Sequence, residues 1–252
     1  MSGKGAMESG DASTRRLERP AGNLVDNGAV GAAPIPIDRT REAVFSAAVK
    51  MWRYGLVVAS AGNVSARVPG EPLVAITPTS IPYDVLREDE ISVVRLEDGV
   101  PAAPGPRPSG ELPTHLAVYR ARPDVGAVVH THAPAVSSLS VLGIPLPPVV
   151  DEMVVYFGGT VAVAEYGFTG TGTLAANVVA ALGDRAAVLL SNHGNVCVGR
   201  DLDEALHVAL TMESTARIYL DALRVGAPKL LPEDAIRRGR EMYEKRRLRA
   251  AP

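Results

Sequence analysis

What the 252-residue chain lacks sets the first limits. It has one cysteine, Cys197, so no intramolecular disulfide can form and a cysteine-rich zinc module is excluded, as suits a reducing compartment. Cys197 lies in an apolar run and is read as a packing residue. No window reaches the roughly eighteen uninterrupted apolar residues of a membrane-spanning helix, and the N-terminus lacks an apolar signal-peptide core. Neither sign of charge is in excess: 26 basic residues face 28 acidic ones. Such a balance creates no overall field to attract nucleic acid or an anionic membrane, so any anionic ligand must be held locally. The expectation is a soluble, cytoplasmic protein with neither of those partners.

The length suits one full-sized domain with tails. Residues 1–37 are rich in Gly, Ala, Ser and Pro without a sustained apolar period, and read as a disordered tail. A helix is expected from Asp38, with Val44, Phe45, Ala48, Val49 and Trp52 at helical spacing and Gly55 as its stop. Strands are expected at 63–68, 73–76 and 91–96, a proline-dense loop at 101–108, and a helix at 111–120. Beyond these the pattern gives strands at 125–130, 161–164, 187–190 and 196–198. It gives helices at 133–142, 173–182 and 202–225. Strands and helices interleave, so the class is α/β or mixed, in one domain over 38–230. Residues 231–252 form a basic helix or tail, read as a solvated surface or an oligomer contact.

Two of only five histidines sit in AVVHTHAP, residues 127–134. Side chains alternate along a strand, so His130 and His132 project from one side and can share a metal, although a polar strand end predicts the same letters. A third, His193, follows another apolar strand in AVLLSNHGNVCVG. Three neutral imidazoles are a sufficient donor set for a catalytic Zn²⁺ with one open position. His115 and His207 fall inside expected helices and are read as structural or surface residues. Glu111, in RPSGEL, starts a helix and is a candidate acid or base, or simply a carboxylate favoured by the helix dipole. SAGNVSARV and ITPTS are turns rich in hydroxyls and glycine that can present neutral donors to a phosphate. GTGTLA, residues 170–175, fits the G-x-G-x-x-A dinucleotide fingerprint, but no acidic residue follows to take a ribose, and a capped helix start explains the same letters.

Taken together, SAGNVSARV, ITPTSIPYDVL, PSGELPTHLAVYRARPDVGAVVHTHAPAV and LLSNHGNVCVGRDLDEAL resemble the class II aldolase and adducin head family, most closely its L-fuculose-1-phosphate aldolase branch. The pieces occur in the family's order and cover most of residues 44–223. The resemblance implies a three-layer α/β/α fold with a mainly antiparallel central sheet, and a homotetramer with active sites at subunit interfaces. It implies one Zn²⁺ or another divalent metal per subunit on His130, His132 and His193, with Glu111 as catalytic carboxylate and a further ligand. Asn63, Ser65, Thr79, Ser80, Ser109 and Gly110 match the surroundings of a substrate phosphate. Two of these depart from the branch pattern: Ser80 replaces a usual Gly, and Gly110 replaces a Ser. Glu152 stands where the branch has a proton-transferring tyrosine, and Tyr243 is the late candidate for a tyrosine reaching a neighbouring subunit's site. The implied reaction is retro-aldol cleavage of a ketose 1-phosphate to dihydroxyacetone phosphate and an aldehyde. Alternatives within the family are a sugar-phosphate 4-epimerase, a decarboxylase, or a non-catalytic adducin-like interaction module.

Overall fold

The structure is a computed structural model that describes residues 36–249. The expected disordered tail lies outside the described residues except for its last two, Pro36 and Ile37, which open the first helix. Proline is favoured there because its fixed φ suits the first helical position and its missing N–H would be unpaired anyway.

The chain order is α1 (Pro36–Arg53), β1 (Asn63–Arg67), β2 (Leu73–Ile76), β3 (Ser92–Arg95), α2 (Leu112–Ala121), β4 (Ala127–Thr131), α3 (Pro134–Leu142), α4 (Asp151–Phe157), β5 (Val163–Ala164), α5 (Gly172–Leu182), β6 (Ala187–Leu190), β7 (Gly194–Gly199), α6 (Leu202–Val225) and α7 (Glu233–Arg247). The strands form one sheet in the order β3-β2-β1-β4-β7-β6-β5, antiparallel except for β5 against β6. Its central strands β4 and β7 are buried at every position, as expected for near-continuous apolar runs covered on both faces.

The pairing shows which helices cover which face. Ser65 lies opposite Val128, and its hydroxyl bonds Tyr119 of α2, so that face of β1 and β4 lies under α2. Asn195 and Cys197, one step out of phase on β7, reach the Met212 sulfur of α6. Helices α2 and α6 therefore sit on opposite faces. α5 packs beside α2, while α1 and α3 pack beside α6. This is the expected α/β/α arrangement.

The C-terminal segment corrects one expectation. α7 is not a solvated charge run: it packs along α4, and its Gly239 lies so close that a Cβ there would be 2.8 Å from Val154. Three of its five arginines pair with the body of the domain, Arg240 with Asp184, Arg246 with Glu204 at 2.9 Å and Arg247 with Asp124 at 3.2 Å, while Arg237 and Arg238 stay on the exposed side.

Helix α3 begins two residues after His132, and its cap residue Ala133 has no polar side chain. Glu213 of α6 takes over that role. Its buried carboxylate accepts the backbone N–H groups of Ala135 and Val136 at 3.0 Å each, filling a place that N-terminal helical donors otherwise leave to water. Replacing it strands two buried donors. Glu213→Ala is expected to lower unfolding stability by about 2–3 kcal/mol, since each bond to a charged acceptor contributes roughly 1.5 kcal/mol or more. Denaturant unfolding checks this, and a loss below about 0.5 kcal/mol, the range of ordinary surface changes, would contradict it.

Candidate active site and metal centre

Strand register brings the site together. Asn63, the first residue of β1, lies directly opposite His130 near the end of β4. His132 follows β4, its N–H bonded to the Leu56 carbonyl. His193 sits in the turn between β6 and β7, with its N–H donating to Leu190 O at 3.0 Å and also facing the Ser140 hydroxyl. The turn reaches β4 because Gly194 has no side chain: a Cβ there would fall 2.2 Å from Thr131 O. Its neighbour Asn192 adopts φ 56°, a left-handed conformation that asparagine tolerates better than most residues.

The three imidazoles meet edge-on, with centroids 4.7 to 4.9 Å apart. Their ligand atoms all lie within 4.8 Å of one another. His130 Nε2 is 2.9 Å from His132 Nε2, close to the roughly 3.3 Å that two nitrogens span across a tetrahedral Zn²⁺ at about 2.0 Å from each. His130 Nδ1 faces the Asn195 carbonyl at 2.8 Å and must donate to it, so Nε2 is the nitrogen aimed at the cluster and the one that would give up its proton to ligate a metal. The donor set fits one divalent ion.

Glu111 closes the fourth side. It is the N-cap of α2, which begins at Leu112, one residue later than the helix expected from 111. Its Oε2 accepts from Asn63 Nδ2 at 2.8 Å and lies 2.8 Å from His130 Nε2. Oε1 accepts from Thr169 Oγ1 at 2.8 Å and lies 3.3 Å from His193 Nε2. Burial pushes the carboxyl up, but His130, Asn63 and His193 together outweigh it and hold the group well below the usual carboxylate range. Burial lowers His132 to about 4, with His130 and His193 adding to the effect, and burial also lowers His193. Burial opposes the charge on His130 as well, yet the Glu111 carboxylate raises it overall. A carboxylate thus stands against imidazoles of which two are neutral and ready to donate lone pairs.

Above this cluster opens a cavity of about 440 Å³, lined by residues 60–63, 78–80, 109–111 and 166–169 with His132, Asn192 and His193. None of these is Lys or Arg. A family profile for the Class II Aldolase and Adducin N-terminal domain matches residues 42–220. The chain belongs to this family. A 5-deoxy-D-ribulose 1-phosphate aldolase from Bacillus thuringiensis serovar kurstaki is 35% identical over 208 residues, 82% of this chain and 97% of that protein. An L-fuculose phosphate aldolase from Escherichia coli K12 is 36% identical over 185 residues, 73% of this chain and 84% of that protein. A solved L-fuculose 1-phosphate aldolase structure matches with a TM-score of 0.78 at 31% identity, covering 82% of this chain and 96% of that one.

In this class II aldolase-family chain, Asn63, Thr79, Ser80, Ser109, Gly110 and Glu111 all line the cavity. His130 lies beneath the cavity within the imidazole cluster, and two expected site residues lie outside the site. Ser65 is 0% exposed: it shares a face with Asn63 but sits two residues deeper along β1, under α2, where its hydroxyl faces His115 and Tyr119. Tyr243 is 3% exposed, and its hydroxyl donates to Asp184 O at 2.7 Å. Its ring packs on Gly158 between α4 and α7, so it is a core residue of this domain, with its hydroxyl turned inward and not toward a site outside the chain. Glu152 is exposed in the first turn of α4. GTGTLA is a capped helix start, with Thr171 accepting from Leu174 N.

Thr169, Asn195 and His115 carry polar contacts to this site that residue-type patterns did not reveal, because each touches a residue far from it in sequence: Thr169 meets Glu111, Asn195 meets His130 and His115 meets Asn63. Ser80 is a different case, a serine at φ 61°, where a Cβ is disfavoured by about 1 kcal/mol. Ser80→Gly is therefore expected to raise stability by about 0.5–1 kcal/mol in thermal unfolding. A decrease would contradict a strained backbone at this position.

Proposed function

We propose that the chain is a metal-dependent class II aldolase that cleaves a ketose 1-phosphate to dihydroxyacetone phosphate and an aldehyde, using one Zn²⁺ or a similar divalent ion on His130, His132 and His193. The observation that carries this reading is the Glu111 carboxylate, placed within 3.3 Å of two of the three imidazoles at the base of an open cavity. All-imidazole sites accept several divalent ions, so the donor set favours the class and not one metal.

Once bound, the ion supplies Lewis-acid stabilisation of the negative charge that develops when the C3–C4 bond breaks. The chain's own residues do the rest. Cleavage removes a proton from the C4 hydroxyl and adds one to C3; Glu111 is placed for the second transfer, delivering the proton in cleavage and removing it in condensation. Asn63 and Thr169 hold its two oxygens in place. The hydroxyls of Thr79, Ser80 and Ser109, with the backbone N–H groups around Gly62 and Gly110, offer the substrate phosphate neutral donors in place of a cation. The reading includes a soluble, cytoplasmic homotetramer with active sites at subunit interfaces. The cavity's open rim, where Phe168 is 68% exposed, supports a site completed by a neighbouring subunit.

Two experiments test it. Metal-loaded protein incubated with a panel of ketose 1-phosphates is expected to release dihydroxyacetone phosphate. Epimerised or decarboxylated product in its place would reassign the reaction, and no turnover together with no stoichiometric metal would favour an interaction module. Glu111→Gln is expected to keep wild-type metal content while kcat falls about 10²- to 10⁴-fold, the usual contribution of a general acid–base group. Undiminished kcat would remove Glu111 from the chemistry.

A further inference from the structure

Beneath Glu111 a line of polar side chains runs into the core between β1 and α2. Asn63 Nδ2 meets Glu111 Oε2 at 2.8 Å, and Asn63 Oδ1 meets His115 Nε2 at 2.5 Å. His115 Nδ1 meets Ser65 Oγ at 2.6 Å, and Ser65 Oγ meets Tyr119 OH at 2.8 Å. Ser65 and His115 are fully buried and Tyr119 nearly so, so water cannot substitute for a missing partner. Buried polar groups in this position are either fully paired or destabilising.

The partners fix one direction for the whole line. An ionised carboxylate only accepts, so Asn63 must turn its NH₂ toward Glu111 and its carbonyl oxygen toward His115. That oxygen can only accept, so His115 must carry its proton on Nε2. Its Nδ1 then has a lone pair and takes the Ser65 hydroxyl proton, and Ser65 in turn accepts from Tyr119. A charged imidazole would donate at both nitrogens and break the order. Complete burial keeps this ring neutral by pushing its pKa down to about 3.

We propose that His115 is a positioning residue for Glu111, the middle member of a one-way hydrogen-bond chain Tyr119→Ser65→His115→Asn63→Glu111 that locks the Asn63 amide with its NH₂ toward the carboxylate. Without the Nε2–H donor the Asn63 carbonyl oxygen loses its buried partner, and only the carboxylate itself still orients the amide that holds it. The histidine touches neither substrate nor metal-facing atoms; it acts through Asn63. The lock also gives Ser65 a role, that of holding the imidazole tautomer. The inference rests on the proposed aldolase reading for the consequence of misplacing Glu111, while the hydrogen-bond order stands apart from it.

The direct test is nitrogen-15 NMR of the histidine rings in the zinc-loaded wild-type protein. The chain requires His115 to be in the Nε2–H tautomer without titration from pH 5 to 9; an Nδ1–H tautomer, a mixture, or titration in that range overturns it. Kinetics on two variants separate positioning from packing. His115→Phe fills the space but removes the donor, and is expected to lower kcat about 10- to 100-fold, the usual effect of losing an outer partner of a site group, with KM and zinc content within about twofold of wild type. His115→Gln keeps an amide N–H near the Nε2 position and is expected to recover most of that loss. Equal kcat in both variants and the wild type, or a rise in KM that accounts for the loss, overturns the proposal. Should His115→Phe fail to fold, the wild-type tautomer still decides. Absence of aldolase turnover in the wild type would sink the functional reading and leave the tautomer test intact.

Discussion

The antiparallel register that sets Asn63 opposite His130, and Thr131 opposite Asn195, is the constraint from which the site follows. It fixes both nitrogens of His130, one on the Asn195 carbonyl and the other at the cluster. It also aligns β7 so that the preceding turn brings His193 to the same point. A slip of one residue would send His130 to the α6 face and bury Asn195 under α2. The apolar core guards against this slip: the flanking Val128, Val129, Val196 and Val198 are 2% exposed or less, and all would change faces with it.

Such a site works against the fold that holds it. Three imidazoles and a carboxylate gathered at the end of a buried strand are costly unless every polar atom is paired. The pairing is supplied by groups from four elements or loops, Asn63, Asn195, Thr169 and Ser140, and by Glu213, which fixes the helix that follows His132. An ion bound only by the folded chain would add stability in proportion to the logarithm of its concentration over its dissociation constant. Folding and metal loading are then coupled through the same residues. The cavity meanwhile offers its ligand hydroxyls and N–H groups without a side-chain cation, so affinity for an anion depends on geometry more than on net charge.

Much of this was legible in the sequence. Alternation along an apolar run places His130 and His132 on one side, and a second apolar run ending in His193 repeats the device. The α/β class and most element positions follow from apolar spacing. What escaped did so for identifiable reasons. Alternation assigns Ser65 to the correct face but says nothing about depth, and two residues along β1 separate a cavity wall from the core beneath α2. Tyr243 lies in a stretch dominated by Arg and Lys, where the charges conceal a face that Gly239 and Gly158 open for close packing. α4, seven residues long, is too short to declare a helical period. His115 is structural, as expected, yet its contact with the amide that holds Glu111 is a tertiary fact that spacing cannot carry.

The claim on which the account turns is that His130, His132 and His193 hold one divalent ion together. X-ray absorption at the zinc edge of the zinc-loaded protein tests it most directly. The account predicts one zinc per chain with nitrogen and oxygen neighbours at about 2.0–2.2 Å and the outer-shell pattern of three imidazoles. A sulfur neighbour, or a pattern of fewer than three imidazoles, would contradict it.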